Sequence, residues 1–442
     1  MKNISFIFLF LLLAVSFSYG QTGNIPAPAQ NQAILLKGGI AHLGNGQAIQ
    51  NSAVGFSDGK ITLVTDATNS RIDESGYQVI DITGKHVYPG FILANTNTGL
   101  VETSSVADTR DFSETGELNP SVRSIIAYNT DSELISTMRF MGILIAQATP
   151  SGGIVSGSSS IVQLDAWNWE DAAYKVDDAI HMNWPSKMSR PNFFSGQTQG
   201  RPNPNYQKTV DKIEQLFVDA LTYQNEPKPA FNLKMEATLG LFDGSKALHI
   251  HTNDAKSIIS SCKLAQKHGV KKIVIVGGGE ALLVKDFLKK NNIPVILTSI
   301  HSLPSRDHED TVLPFKMPGL LKDAGVDFCI TNSMGMTARQ RNLPFTAGTA
   351  VAYGLEYEEA IQAITASTAR ILGIDDQVGS LETGKDATLF VSTGDALDMR
   401  TNNVELSFIQ GRQVQLNGRQ QFLYEKYSKK YGHKVHLTKE NK

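Results

Sequence analysis

The chain has 442 residues, of which 41 are basic and 43 acidic, for a formal net charge of −2. That balance excludes a basic footprint for nucleic acid or for an anionic membrane surface, and leaves a small-molecule or peptide-like ligand as the expected partner. The length exceeds one simple core and fits a barrel with a small appended domain; Cys262 and Cys329 are the only cysteines and read as buried thiols, not a disulfide framework.

Residues 1–20 read as a secretory signal, with Lys2, an almost wholly apolar run from Ile4 to Phe17, and small residues before a cleavage point after Gly20. The run is shorter than the ~20 residues of a membrane helix. The mature chain is therefore expected to start at Gln21, in the periplasm or outside the cell, with no membrane span after cleavage. Residues 21–32 form a linker rich in Pro, Asn and Gln. Residues 33–90 alternate apolar and polar side chains and turn at Ser57-Asp-Gly-Lys60, a hairpin signal. Strand patterns return at Gly379–Val391 and Val404–Arg412, so 33–90 and 374–418 are expected to meet in one small β domain.

Between them, residues 91–373 alternate short apolar strands with helical patterns, the rhythm of βα units. Ser132–Met141 reads as a helix before the strand Gly142–Ala148. Asn253–His268 reads as a helix stopped by Gly269 and feeding the strand Lys272–Val276. Glu280–Asn291 with Pro294–Thr298, and Met317–Ala324 with Val326–Thr331, repeat the unit, and helices at Phe345–Gly354 and Glu356–Leu372 close it. Trp184–Asn205, rich in Pro, Asn and Ser, is expected to be a long barrel loop. Residues 419–442, with Lys426, Lys429, Lys430 and Lys434, are expected to be a basic, solvated tail.

The stretch Pro89-Gly-Phe-Ile-Leu-Ala-Asn-Thr-Asn-Thr-Gly-Leu-Val-Glu102 reads as the first barrel strand, whose alternation would put Asn95 and Asn97 on one face. It resembles the opening strand of the amidohydrolase superfamily, in which histidines at these two positions hold a catalytic divalent metal. The phrases GSLETGKDATLFV and FIQGR resemble that family's C-terminal signature, and the Gly-Leu-Val-Glu form of the first strand resembles an imidazolonepropionase-like branch that lacks the histidine pair. The resemblance implies an α/β fold, a (β/α)8 TIM-type barrel with a small β-sandwich domain built from both termini. It also implies hydrolysis of a C–N bond in a cyclic amide, peptide or N-acyl compound.

Carried over position by position, the family's ligand set is mostly missing. His251, in Ala247–Asp254, stands at the fifth-strand histidine. Gly277 stands at the histidine of the following strand. Asn332 stands at the aspartate that serves as ligand and general base, and no lysine or glutamate fits the bridging position on the fourth strand. A catalytic zinc takes about three protein ligands and an open position, and neutral amides are weak donors to such a metal. No cofactor is therefore expected, unless His249, His251 and His301 converge on a divalent metal such as zinc. The acidic run Asp108–Glu114 lacks an EF-type calcium pattern.

Neutral amides suit hydroxyl or amide groups, so the expected ligand contacts are Asn95, Asn97, Gln147, His251 and Asn332, with Gly277 and Gly278 offering backbone amides at a helix start. The Thr149–Ser160 loop, rich in glycine and hydroxyls, suggests an anion cradle but lacks the lysine of a P-loop. Trp167, Trp169 and Trp184 fall in one stretch, suited to stacking on a sugar or peptide or to packing. Two function classes follow: an exported amidohydrolase with reduced or lost metal-dependent hydrolysis, or a non-catalytic ligand-binding or partner protein, a pseudoenzyme. The second would act as a homo-oligomer or paired with an active relative.

Overall fold

The computed structural model describes residues 25–188, 201–227, 230–304, 306, 308–332, 334–335 and 337–434; the expected signal segment, the middle of the Trp184–Asn205 loop and the end of the basic tail lie outside them. One sheet of eight strands organises the chain: β1 (Phe91–Thr96), β2 (Ile143–Ala148), β3 (Val155–Gln163), β4 (Ala173–Asn183), β5 (Ala247–Thr252), β6 (Ile273–Gly277), β7 (Val295–Leu297) and β8 (Phe328–Ile330). They pair in chain order. β1 and β2 are parallel, as are β4 through β8. β3 runs antiparallel to both of its neighbours, because the chain between Ala148 and Val155 is too short for the crossover that a parallel pair needs. The expected TIM-type barrel is present with this one strand reversed. No ladder joins β8 to β1; the Thr331 hydroxyl donates to the Ala94 carbonyl at 2.5 Å and nearly closes the ring.

The reversed strand corrects the reading of Thr149–Ser160 as one loop. Every residue of β3 is buried, and ladders on both edges hold a Gly and Ser-rich segment whose own strand preference is weak. In the neighbouring turn Ser151 N donates to Phe112 O at 2.7 Å and Ile154 N to Glu117 O at 2.7 Å, which takes these two amides away from any anion.

Helices cover the outside of the later strands. Asp254 caps Ala255–Lys267 by accepting from Ser257 N at 2.9 Å, and Gly269 ends that turn at φ 79°. The expected helix Glu356–Leu372 is two, Tyr357–Ala363 and Ala366–Leu372. Two further helices, Tyr206–Asn225 and Leu233–Asp243, fill the long β4–β5 connection. Ile213, Leu216, Phe217 and Ala220 of the first are buried at helical spacing, a signal that was open to a sequence reading.

The remaining strands form two sheets. One holds, in spatial order, Lys60–Asp66, Ser52–Ser57, Ala33–Lys37 and Tyr77–Asp81. The other runs Arg412–Gln413, Val404–Ile409, Leu389–Ser392, His86–Pro89, Ile40–His42, Ala48–Ile49, so strands from both ends of the chain share it. Leu36, Val54, Phe56, Ile82, Val391 and Phe408 pack together in their common core. Asp165 pins the seam with the barrel, taking Arg139 Nη1 at 2.9 Å, Arg412 Nη1 at 2.8 Å and the Ala27 amide at 2.9 Å. Arg419–Tyr431 of the basic tail is a helix whose one buried residue is Ser428. Cys262 and Cys329 are buried free thiols. Among the described residues no helix is long and apolar enough to cross a membrane.

Candidate functional site

The barrel interior changes character along its axis. At the end where the parallel strands begin, Ile92, Ala94, Ile145, Ile161, Val274 and Ile296 pack with Ala369 and Leu372 from the last barrel helix. At the opposite end a cavity of about 490 Å³ is walled by Asn95 from β1, Trp184 after β4, His251 and Asp254 around the end of β5, Gly277 from β6 and Thr298 after β7. These are the carboxyl ends of strands, where barrel sites form.

Behind this wall a hydrogen-bonded chain crosses β1 to β5. The Asn95 amide donates to Gln147 Oε1 at 3.0 Å. Gln147 Nε2 donates to Asp178 Oδ2 at 2.7 Å and to Ser159 Oγ at 3.2 Å. Ser159 Oγ donates to Asp178 Oδ1 at 2.7 Å and lies 2.9 Å from His181 Nε2. His181 Nδ1 lies 2.9 Å from His251 Nε2. Asp178 and His181 are three residues apart, so simple alternation would separate them; the β3–β4 register shifts between Ser159 and Ile161, beside the left-handed Asp177 at φ 53°, and both residues reach Ser159. For that reason sequence reasoning found neither residue. Parallel pairing of β4 with β5 sets His181 opposite His249 and Asn183 opposite His251.

Burial dominates the electrostatics of this layer. It pushes Asp178 up to about 6, against the hydrogen bonds from Ser159 and Gln147 and the charge of Lys175, which pull the other way. It holds His251 down at about 4 and His249 at about 3, the latter helped by His251 and Lys175, and holds His181 well below the usual histidine range. All three imidazoles are neutral near pH 7. Both ring nitrogens of His249 are buried with no partner among the described residues, its ring 4.8 Å from that of His181.

Of the residues picked from sequence, Asn95, His251 and Gly277 reach the cavity wall. Asn95 and Asn97 do not share a face: Asn95 is left-handed at φ 51°, the β1–β2 register shifts there, and Asn97 Oδ1 instead accepts from Thr337 at 2.9 Å. Gln147 lies behind the wall in the buried chain, and Asn332 Oδ1 accepts from Thr346 at 2.9 Å. The amides after Gly277 are consumed, Gly278 N by Thr252 O at 2.9 Å, Gly279 N by Asn253 Oδ1 at 3.2 Å and Glu280 N by Asn253 O at 2.8 Å, so no anion cradle forms there. His301 pairs with Thr349 Oγ1 at 2.7 Å, and does not join His249 and His251. Of the tryptophans, Trp167 is 68% exposed, whereas Trp184, 7% exposed, and the partly buried Trp169 belong to the main hydrophobic core.

A divalent metal of the family type does not fit the donors present. Among the described residues no three His, Cys, Asp or Glu side chains converge to hold one. The amide oxygens of Asn97 and Asn332 are taken by hydroxyls, and His251 Nε2 is turned to His181 Nδ1, which leaves His251 Nδ1 as a single imidazole nitrogen toward the cavity.

Residues 236–414 match the family model described as "Amidohydrolase family". An amidohydrolase from Thermotoga maritima MSB8 superposes with a TM-score of 0.76 at 23% identity, over 86% of this chain and 99% of its own. A prolidase complexed with N-methylphosphonate-L-proline gives 0.53 at 16% identity over 87% and 99%, and a Xaa-Pro dipeptidase with bound methionine 0.52 at 14% over 86% and 99%. No curated protein sequence matches the chain. The chain carries the amidohydrolase-type barrel fold.

Proposed function

We propose that this protein, exported after cleavage behind Gly20, uses the mouth of its amidohydrolase-type barrel to bind a small uncharged molecule bearing amide or hydroxyl groups, with metal-dependent hydrolysis of C–N bonds reduced or lost. One observation carries the reading: two cavity-wall residues hold buried hydrogen-bonding atoms without a partner among the described residues, Asn95 Oδ1 and Trp184 Nε1. A buried polar atom left unpaired costs about 1–3 kcal/mol, a cost that a ligand group relieves. The neutrality of His251, and the use of the Asp254 carboxylate as a helix cap, favour an uncharged guest.

The donor set supports the loss of metal chemistry. Structural zinc binds peptides with about 10–16 kcal/mol through a full set of thiolates and imidazoles, and amides with one imidazole supply a small part of that. The likeness of the first strand to an imidazolonepropionase-like branch points to compounds with C–N bonds as the ligand class.

The test is metal content by mass spectrometry after dialysis, together with thermal melting in neutral amides and in carboxylates or amines. The expected result is far less than one zinc or manganese per chain and a rise in Tm with neutral amides only. Stoichiometric zinc that is lost in His251→Ala would return the chain to the metal-dependent hydrolases.

A further inference from the structure

We infer that Asp178, acting through Ser159 and His181, fixes the tautomer of His251 so that its Nδ1 meets the cavity as a bare hydrogen-bond acceptor, and that the bound molecule therefore donates an N–H or O–H to it. The inference deepens the ligand-site reading above and rests on it for its second half.

The direction of every bond in the chain follows from one backbone amide and one carboxylate. The Asn95 N–H can only donate, so Gln147 turns Oε1 toward it and Nε2 the other way. Nε2 can only donate, so Asp178 Oδ2 and Ser159 Oγ both accept. The ionised carboxylate accepts only, so the Ser159 proton goes to Asp178 Oδ1. The Ser159 oxygen then receives the Nε2–H of His181. A neutral imidazole carries one proton, so His181 Nδ1 is bare and accepts the Nε2–H of His251. His251 Nδ1 is left bare. It has no partner among the described residues and, unlike both nitrogens of His249, is not sealed from solvent.

The experiment uses the whole mature chain labelled with 15N-histidine and reads imidazole tautomers by NMR at pH 7.5. Wild type is expected to show His181 and His251 protonated on Nε2. In Asp178→Asn, Gln147 Nε2 still claims the amide oxygen, so the new amide nitrogen faces Ser159, the serine proton turns to His181, and both histidines switch to Nδ1–H while the melting profile stays cooperative. Should that variant not fold, Ser159→Ala cuts the chain and is expected to give His251 as a mixture of tautomers. Titration with N-methylacetamide and N,N-dimethylacetamide tests the ligand half: wild type should prefer the N–H-bearing probe by about tenfold, one hydrogen bond's difference, and Asp178→Asn should lose that preference. An Nδ1–H tautomer in wild type, or equal binding of the two probes, overturns the inference. If neither probe shifts any cavity residue, the ligand-site reading fails with the ligand half, and the tautomer result stands or falls by itself.

Discussion

Two sides of the same barrel interior are built on opposite principles. The β6–β8 side presents Val274, Val276, Ile296 and Cys329, held mainly by apolar packing. The β2–β5 side presents Gln147, Ser159, Asp178, His181 and His251, all buried or half-buried and tied by directional hydrogen bonds. Packing tolerates change in proportion to volume, whereas a polar chain fails when one member is removed, because each buried atom it frees must go unpaired. Chemistry has thus gathered on β3 and β4, while the positions on β1, β6 and β8 where the resembling family keeps its metal ligands carry amides and glycine.

The largest effect is expected on the apolar side. Ile296→Ala should lose about 2–5 kcal/mol in urea unfolding through the transfer and cavity terms, with His251 keeping its tautomer; a tautomer change there would show that the two sides are coupled.

Acid should come next, and it acts on the polar side. His249 and His251 titrate at about 3 and 4 in the fold against 6.5 for the free group, so between about pH 4 and 6.5 the unfolded chain binds more protons and stability falls as pH falls. Asp178, raised from 3.8 to about 6, works in the other direction, the folded state holding its proton longer. The His249 and His251 shifts alone outweigh the carboxyl by about 3 kcal/mol from pH 7 to 4.5, and the lowered His181 adds to that loss. Denaturant midpoints across that range check it, and stability unchanged or rising on acidification would contradict the buried neutral imidazoles.

Restoring the family's histidine on β6 should cost about 1–3 kcal/mol. Gly277 sits at φ 105°, and a Cβ there would meet Asn253 Oδ1 at 2.6 Å and Thr252 O at 3.0 Å. Gly277→His is expected to melt lower than wild type without gaining zinc; a zinc-dependent rise in its Tm would show that the backbone can relax into the family's geometry.

The smallest effect is a gain. His249→Leu removes two unpartnered buried nitrogens and should add about 1 kcal/mol at pH 7, while removing part of the acid-induced loss. A destabilised variant would mean that His249 is satisfied by a group not yet identified.

Much of the architecture was legible in the chain, because period-two and helical patterns depend on near neighbours. The Pro89–Glu102 strand, the Asp254-capped helix and the paired apolar strands near residues 275, 296 and 329 fell where their patterns put them. The resemblance located His251 and Gly277 on the cavity wall. What alternation could not give was Asn97, swung away by the left-handed Asn95, or Asp178 and His181, brought to one serine where the β3–β4 register shifts. A positive φ leaves no mark on a local pattern, yet it changes which face every later side chain occupies. The Gly and Ser-rich residues 155–160, read within the Thr149–Ser160 loop, have weak strand propensity, and only the two neighbouring strands make them part of a strand. Sequence thus set six barrel strands, β1, β2 and β5 to β8, since these follow from local burial; the tertiary structure alone decided which polar groups meet, since that hydrogen-bonded chain depends on positions fixed by five strands at once.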